Sequence, residues 1–367
     1  MHRSPALFGR VSLSRSGAGL GAAGVLLLAT ACGPTPPPPR PEPPPTAEPP
    51  PLPSATPTAD PTVTPATTAA VSVPPAEAPP AWPDVAFPPE AKLPSERSTL
   101  PGDGEWTPLG VAGERIAEAT PSMYRTVIHP HGTSRFITVT VVAIDLARVE
   151  PFFVPGTDDP RLDQLPASVS PGLIPSDHQD RLLVVTNGGF APRHGRWGMG
   201  VGGVTLVDPR PDGCTVTLSQ DGRVAILPWS EVSAPDELRA WRQTPPCLLD
   251  DGKLHPHLEQ KQLRIWAGRD PNRKTRRRSA LGLDASRRIL FYGMGVETEA
   301  DDLARGMAAA GATDAVELDI NYSWTKFLVF GGDPLVVTST LIEDMKHQKR
   351  GYVEKSAFRD FFYLLRR

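Results

Sequence analysis

Runs of apolar and β-branched residues, broken by short polar turns, dominate the chain after residue 135 and predict strands more often than helices. Residues 136–144 (FITVTVVAI) give the clearest strand pattern, and residues 181–186 (RLLVVT) lead directly into a tight Asn187-Gly188-Gly189 turn. Asp-Gly pairs separate three of the later runs, which predicts a meander. The predicted strands are residues 136–144, 181–186, 203–207, 214–218, 223–227, 289–292, 314–320, 327–330 and 334–337.

One long helix is predicted within this strand pattern. It starts at Thr298, which forms a pair with Asp301 like that of a capping box, and it ends near Gly311. The pattern also allows a helix in the tail after Leu341. Because the strands come in consecutive blocks with few long helices, we predict an α+β fold in which mixed β-sheets pack with helices.

The N-terminus has the pattern of an export signal. Three arginines within the first 15 residues precede an apolar stretch at residues 18–31, which is too short for a stable membrane span. We therefore predict that residues 1–31 are a signal peptide. The small residues before Cys32 resemble a bacterial lipobox and predict lipidation of Cys32. An ordinary A-x-A cleavage site that happens to precede a cysteine is the alternative.

Proline dominates the next segment, with 24 prolines among residues 34–94. Such a sequence favours extended polyproline II, so we predict that residues 32–94 are a lipidated cysteine and a disordered linker, followed by one domain at residues 95–367. Gly33 rather than Asp follows the cysteine, which indicates transfer to the outer membrane of the cell envelope. The lipid anchor is then the expected membrane contact.

The net charge excludes one class of binding protein, and the cysteine content predicts a disulfide. The 38 basic and 41 acidic residues give a net charge of −3, which excludes a generally basic nucleic-acid binder. Two cysteines remain beyond Cys32, and an oxidising compartment favours a disulfide between Cys214 and Cys247. Two unconnected buried thiols are the alternative.

Common motifs of cofactor and hydrolase sites are absent from the sequence. Residues 198–203 fit G-x-G-x-x-G by spacing, but a strand rather than a helix follows them, so a glycine-rich hairpin is the better interpretation. There is no G-x-S-x-G, H-E-x-x-H, Walker A or paired C-x-x-C motif. We expect no cofactor, and no metal ligand is assigned.

Three positions are candidates for site chemistry. Arg278 ends a basic run just where a strand begins, so it could bind a phosphate at the mouth of the sheet, although a solvated loop is the plainer interpretation. Asp319 ends an apolar strand and is followed by Asn321 and Ser323; it is either a site acid or a turn cap. His194 lies in a Gly/Arg loop and is either a proton donor or an exposed loop histidine.

Three blocks, in order, resemble the phosphodiester glycosidase family, which includes the animal uncovering enzyme of lysosomal targeting. Residues 185–190 (VTNGGF) are similar to the family's strand ending in N-G-G-F, and residues 278–283 (RSALGL) to its R-[ST]-A-[IL]-G block. The third block, residues 315–319 (AVELD), is similar to the strand that ends in L-D-G-G-G-S. In addition to these blocks, residues 241–253 are similar to a family segment ending in D-G-[KR]. The resemblance spans about residues 135–340 and suggests a divergent bacterial lipoprotein member.

This resemblance implies the activity and its residues. Family members cleave a sugar-1-phosphodiester into a free sugar and a phosphomonoester. Site roles are implied for three residues: catalytic roles for Asp319 and Asn187 and substrate binding for Arg278. His194 is added as a catalytic candidate because of its place in the loop after Asn187-Gly188-Gly189, and Gly188, Gly189, Ser323 and Asn321 are added as substrate-binding candidates.

One departure from the family pattern divides the functional hypotheses. The family has three glycines after the aspartate, and glycine lets backbone amides approach a ligand closely. In this chain Ile-Asn-Tyr at residues 320–322 takes their place. The leading hypothesis is an exported hydrolase of a sugar-1-phosphodiester or a phosphodiester-linked envelope glycan. The alternative is a catalytically inactive lipoprotein that binds an anionic polysaccharide in the same cleft. The expected partner is a phosphodiester-containing glycan or glycolipid.

Acylation of Cys32 can be tested by detergent partitioning. The wild type is expected in the detergent phase, because the acyl chains would anchor it, whereas Cys32→Ser should stay in the aqueous phase. If both proteins fractionate identically as soluble protein, the lipoprotein interpretation is wrong.

Overall fold

The computed structural model describes residues 81–93, 100–111, 121–131, 134–158, 169, 171–266 and 275–367. Strands dominate these residues. They are β1 (Thr107–Pro108), β2 (Met123–Ile128), β3 (Val139–Asp145), β4 (Val149–Val154), β5 (Leu182–Asn187), β6 (Met199–Val201), β7 (Val204–Val207), β8 (Cys214–Leu218), β9 (Val224–Pro228), β10 (Ala240–Thr244), β11 (Leu249–Asp250), β12 (Lys253–Leu254), β13 (Arg276–Leu283), β14 (Ile289–Thr298), β15 (Asp314–Glu317), β16 (Phe327–Gly331), β17 (Val336–Thr340) and β18 (Phe361–Arg366). Two α-helices are described, α1 (Pro256–Glu259) and α2 (Ala300–Ala310). Short 3-10 turns occur at Ser176–Arg181, Trp229–Glu231, Pro235–Glu237 and Leu263–Trp266.

The strands form three sheets, and every pairing between named strands is antiparallel. Sheet 1 has eight strands in the order β1-β2-β3-β14-β13-β15-β11-β12. Sheet 2 has the order β7-β6-β10-β8-β9, and sheet 3 has the order β17-β16-β5-β18-β4. One large apolar core joins residues of all three sheets, and a second core lies between sheet 1 and helix α2.

The prediction of an α+β fold with mixed sheets is wrong, because the structure is a β-rich fold of three antiparallel sheets. Two kinds of segment hid strands from the sequence pattern. Strand β10 (AWRQT) carries polar residues but is fully buried, since Arg242 and Gln243 make internal hydrogen bonds. Strand β18 (FFYLLR) lies in the tail after Leu341, where the sequence also allowed a helix. In a short apolar run, periodicity alone does not distinguish a strand from a helix.

Other predicted elements are confirmed with shifted ends. Each predicted strand overlaps an observed one, and β8 has the predicted bounds. The glycine-rich segment forms the β6–β7 hairpin, in which Gly202 and Gly203 adopt positive φ angles of 57° and 79°. Helix α2 begins two residues later than Thr298: the Asp302 carboxylate accepts a hydrogen bond from the Glu299 amide at 2.7 Å, and Gly311 caps the end with φ 108°.

The described body begins before residue 95. Trp82 is partly buried against the large core, and Phe87 and Leu93 are partly buried against the core under helix α2. These apolar side chains interrupt the proline-rich sequence, so residues 81–93 are packed. The predicted signal peptide and Cys32 lie outside the described residues. Among those residues, no helix has the length and apolar character needed to span a bilayer.

A disulfide joins sheet 2 to sheet 1, as the sequence predicted. Cys214 at the start of β8 is bonded to Cys247, which precedes β11, with a sequence separation of 33 residues. Both residues are buried. In the chain-entropy model, the bond stabilises the fold by restricting the unfolded chain.

Replacing both cysteines, in Cys214→Ser/Cys247→Ser, should lower the free energy of unfolding by about 3 to 4 kcal/mol, because a closed loop of this length is released. Denaturant unfolding of both proteins measures the loss. Alkylation of the denatured, unreduced wild type, followed by peptide mapping, provides the control. Alkylated Cys214 and Cys247 peptides in that sample would contradict the pairing.

Candidate functional site

Asn187, at the end of β5, joins sheet 3 to sheet 1. Its side-chain oxygen accepts hydrogen bonds from the Tyr292 hydroxyl at 3.0 Å and the Lys326 amide at 2.9 Å. Its side-chain nitrogen donates to the Ser279 hydroxyl at 3.0 Å and to the Gly188 carbonyl at 2.9 Å. These contacts use the full hydrogen-bonding capacity of the amide, so Asn187 holds the end of β5 against sheet 1.

Gly188 and Gly189 allow a close approach to Asp360. The Gly188 amide donates to the Asp360 carbonyl and the Gly189 amide to its carboxylate, each at 3.0 Å. A Cβ on Gly188 would lie 2.5 Å from the carboxylate oxygen of Asp360, and one on Gly189 would lie 2.8 Å from Arg242. The two glycines are therefore required by packing, and their amides are already bonded.

Asp360 and Arg242 form an ion pair that solvent does not reach. The Nε–Oδ2 distance is 2.6 Å, and both side chains have 0% exposure. Arg242 also donates to the carbonyl oxygens of Phe190 at 2.5 Å and Trp197 at 3.1 Å, which satisfies the buried guanidinium. Sequence reasoning missed both residues. The one available signal was an arginine inside an otherwise buried strand pattern.

Asp319 lies two residues beyond the end of β15 and is 5% exposed. Its Oδ1 accepts the Asn321 amide at 2.8 Å, and its Oδ2 lies 3.4 Å from Nη2 of Arg359. The Ser279 hydroxyl, which bonds Asn187, also donates to the Asp319 carbonyl at 3.0 Å. The structure thus brings Asp319 and Asn187 together.

Burial controls the protonation of Asp319. Loss of solvent raises the pKa of this carboxyl to about 6, and the charge of Arg359 opposes the rise only in part. A carboxyl with this pKa is protonated in part of the molecules near neutral pH, so it can act as a proton donor.

Arg278 does not face Asp319, and the prediction that it binds phosphate at the mouth of the sheet is corrected by the structure. It is 1% exposed, and its Nη1 lies 2.5 Å from Glu317 and 2.8 Å from the Trp266 carbonyl. Alternate residues of a strand point to opposite faces, so the inward position of Ser279 directs Arg278 to the face under helix α2. Arg359, which the sequence did not suggest, is the arginine beside Asp319.

A first cleft of about 330 Å³ lies on one side of Asp319. Asn187, Gly188, Gly189 and Ser323 also line it. Aromatic side chains form part of its wall, with Trp324 partly buried and Phe358 61% exposed. Four of its lining residues are cationic: Lys326, Lys346, Lys355 and Arg359. The acids in the wall are Asp319 and Asp360, and Asp360 is neutralised by Arg242.

A second cleft of about 680 Å³ also has Asp319 in its lining. Its lining includes His194 and Asn321, so the structure brings both of these predicted residues to the same cleft as Asp319. The chain at residues 320–322 needs no glycine, because none of these residues has a positive φ. Ile320 instead packs with Phe190 and Trp197 in a small apolar cluster.

No family model and no curated protein matches the chain. Solved structures to which the chain is similar include the catalytic domain of zebrafish N-acetylglucosamine-1-phosphodiester alpha-N-acetylglucosaminidase, auto-inhibited by its pro-peptide. It is 13% identical over 70% of this chain and 87% of that chain, with a TM-score of 0.41. A hypothetical protein of Synechocystis is 13% identical over 68% of this chain and 65% of its own, with a TM-score of 0.35. Such values carry no conclusion about family or reaction.

Breaking the buried pair should destabilise the whole site. Asp360→Ala leaves Arg242 charged without a partner, and we expect a loss of about 3 to 5 kcal/mol in the free energy of unfolding. The double variant Arg242→Met/Asp360→Ala should lose less than the sum of the single variants, since no unpaired charge remains. Denaturant unfolding measures all three proteins.

Asp212→Ala is the matched control, because the Arg210–Asp212 pair has a similar distance of 2.7 Å but is exposed. Its loss should stay below about 1 kcal/mol. Strictly additive losses for Arg242 and Asp360 would contradict the coupling.

Proposed function

We propose that this protein is an exported hydrolase that cleaves a sugar-1-phosphodiester or a phosphodiester-linked glycan of the cell envelope. The observation that carries the proposal is the placement of Asp319, a buried carboxyl with a raised pKa, in the wall of a cleft lined by four cationic side chains. Export and the lipid anchor rest on the sequence pattern of residues 1–32.

The first cleft has the chemistry that a glycosyl phosphate needs. Lysine and arginine side chains bind phosphate oxygens, and aromatic rings such as Trp324 and Phe358 offer flat apolar surfaces to a sugar ring. Burial lowers the pKa of Lys326 to about 8, so this lysine remains mostly charged at pH 7. The positive charges would also stabilise the phosphomonoester that leaves.

Asp319 would act as the general acid. In the proposed reaction, water adds to the anomeric carbon while the bond from that carbon to the phosphate oxygen breaks. The proton of Asp319 is transferred to the leaving oxygen, and the products are a free sugar and a phosphomonoester. The attacking water loses one of its two protons to solvent, and the Asp319 carboxylate then takes up a proton from solvent, which restores the acid. Arg359 lies beside the carboxylate that remains and would stabilise its charge.

Binding without hydrolysis is the alternative function, and one observation favours it. The amides of Gly188 and Gly189 both donate to Asp360, so they are not available as donors to a reacting oxygen. In that case the same cleft would hold an anionic polysaccharide.

Asp319→Asn should abolish hydrolysis, with kcat lower by a factor of about 100 to 10,000, because the amide cannot donate an acidic proton. For the wild type, kcat/KM should fall as pH rises above about 6, the pKa of Asp319. Release of reducing sugar from a panel of synthetic hexosyl-1-phosphodiesters measures both effects.

Stability provides the check on folding. The pKa of Asp319 is raised above its unfolded value, so its contribution to stability is present below about pH 4 and is lost as pH rises through about 6. The Asn variant should therefore be at least as stable as the wild type at pH 8. Asp251→Asn, at a 93% exposed side chain, is the matched control. Full activity of Asp319→Asn would defeat the assignment, and a folded wild type inactive on the whole panel would favour the binding function.

A further inference from the structure

Asp319 lines two clefts. Its Oδ2 lies beside Arg359 of the first cleft, and its Oδ1 is bonded to the amide of Asn321, which lines the second. A substrate bound against Asp319 is therefore close to the residues of both clefts. The volumes, about 330 and 680 Å³, are each in the range of pockets that hold small organic ligands.

Arg277 lines the second cleft and has hydrogen-bond donors that are not used by other described residues. The residue is 3% exposed, and its Nη2 donates to both carboxylate oxygens of Asp344, at 2.7 and 2.9 Å. Its Nε and Nη1 are buried and have no hydrogen-bond partner among the described residues. Buried donors of a charged group are costly when unpaired, so this guanidinium is suited to receive a further acceptor.

Tyr322 packs on Arg277. Its ring lies over the guanidinium of Arg277, with 3.7 Å between the guanidinium carbon and the ring centroid, and its hydroxyl donates to Asp344. The side chain is 44% exposed, so its ring can change rotamer without moving a strand. The same ring offers a surface on which a sugar can stack.

The charge of the second cleft also favours an anion. Arg193, Arg276 and Arg277 line it, against the carboxylates of Glu297 and Asp319. Asp344, which pairs with Arg277, lies outside its lining. Arg193 is exposed, so it can contact a charged group that enters from solvent.

We propose that the second cleft is an anion-binding subsite for the same substrate as the first cleft. The substrate is then a polymer of glycosyl phosphates that passes Asp319 and places one phosphate in each cleft. This inference rests on the proposed function and extends it, because a single phosphodiester would fill only the first cleft. The enzyme would then cut within a chain rather than only at its end.

Binding to the Asp319→Asn protein tests the inference without hydrolysis. The probes are synthetic hexosyl-1-phosphate oligomers of glucose, N-acetylglucosamine or mannose with one, two or four phosphodiesters, measured by calorimetry. Two phosphodiesters should bind about tenfold tighter than one, the gain expected for a hydrogen-bonded charge pair. Their binding should also weaken more steeply with salt.

Arg277→Gln in this background should remove the gain for the longer oligomers and leave binding of the one-phosphodiester probe unchanged. Arg193→Gln, at an exposed position, should also reduce the gain in affinity. This variant replaces Arg277→Gln in the test if Arg277→Gln does not fold. Lys253→Gln, at an exposed lysine outside both clefts, should keep the gain.

Equal affinity for one, two and four phosphodiesters would overturn the inference, as would a gain that survives both arginine variants. Hydrolysis of the one-phosphodiester probes by the wild type is measured separately. If the wild type cleaves these probes but the affinity of the Asp319→Asn variant does not depend on oligomer length, the protein has the proposed function without the second subsite.

Discussion

The position of the site depends on the buried pair between Arg242 and Asp360. Arg242 belongs to sheet 2, and Asp360 immediately precedes the strand of sheet 3 that pairs with β5. Two charges away from solvent are stable only when nearly all of their other donors and acceptors are hydrogen-bonded, and among the side-chain N and O atoms of this pair only the Oδ1 of Asp360 has no partner in the described part of the chain. Carbonyls of the loop after β5 accept from Arg242, and the amides of Gly188 and Gly189 donate to Asp360. The pair therefore fixes the loop against which Asp319 packs, since the Asp319 amide donates to the Gly188 carbonyl.

The sequence predicted those parts of the site that depend on local pattern. An apolar strand with an acid just past its end places Asp319 where the sheet meets the clefts, and a strand entering two glycines places Asn187 close by. Side chains alternate between the two faces of a strand, so the sequence of β13 also indicates that Ser279 and Arg278 point to opposite faces of the sheet. The prediction for Arg278 failed because a basic run was read as one surface, although neighbouring strand residues point to opposite faces.

The rest of the site depends on pairings between distant residues. Arg242 and Asp360 are 118 positions apart, and Arg359 meets Asp319 across 40. Neither spacing has a local signature. The fold class failed for a related reason: Arg242 and Gln243 make β10 look like a polar loop until their buried partners are known. Strand β18, which brings Arg359 and Asp360 to the site, has an apolar run that suits a helix equally well.

Burial alone does not select the functional acid. Glu317 and Asp319 lie two residues apart, and loss of solvent raises both pKa values, to about 7 for Glu317 and about 6 for Asp319. Glu317 is 0% exposed and faces Arg278 beneath helix α2, so a proton there has no path to a substrate. Asp319 lies past the end of the strand, where the chain leaves the sheet and both clefts meet. Access, rather than the size of the pKa shift, therefore makes Asp319 the acid that can act on a ligand.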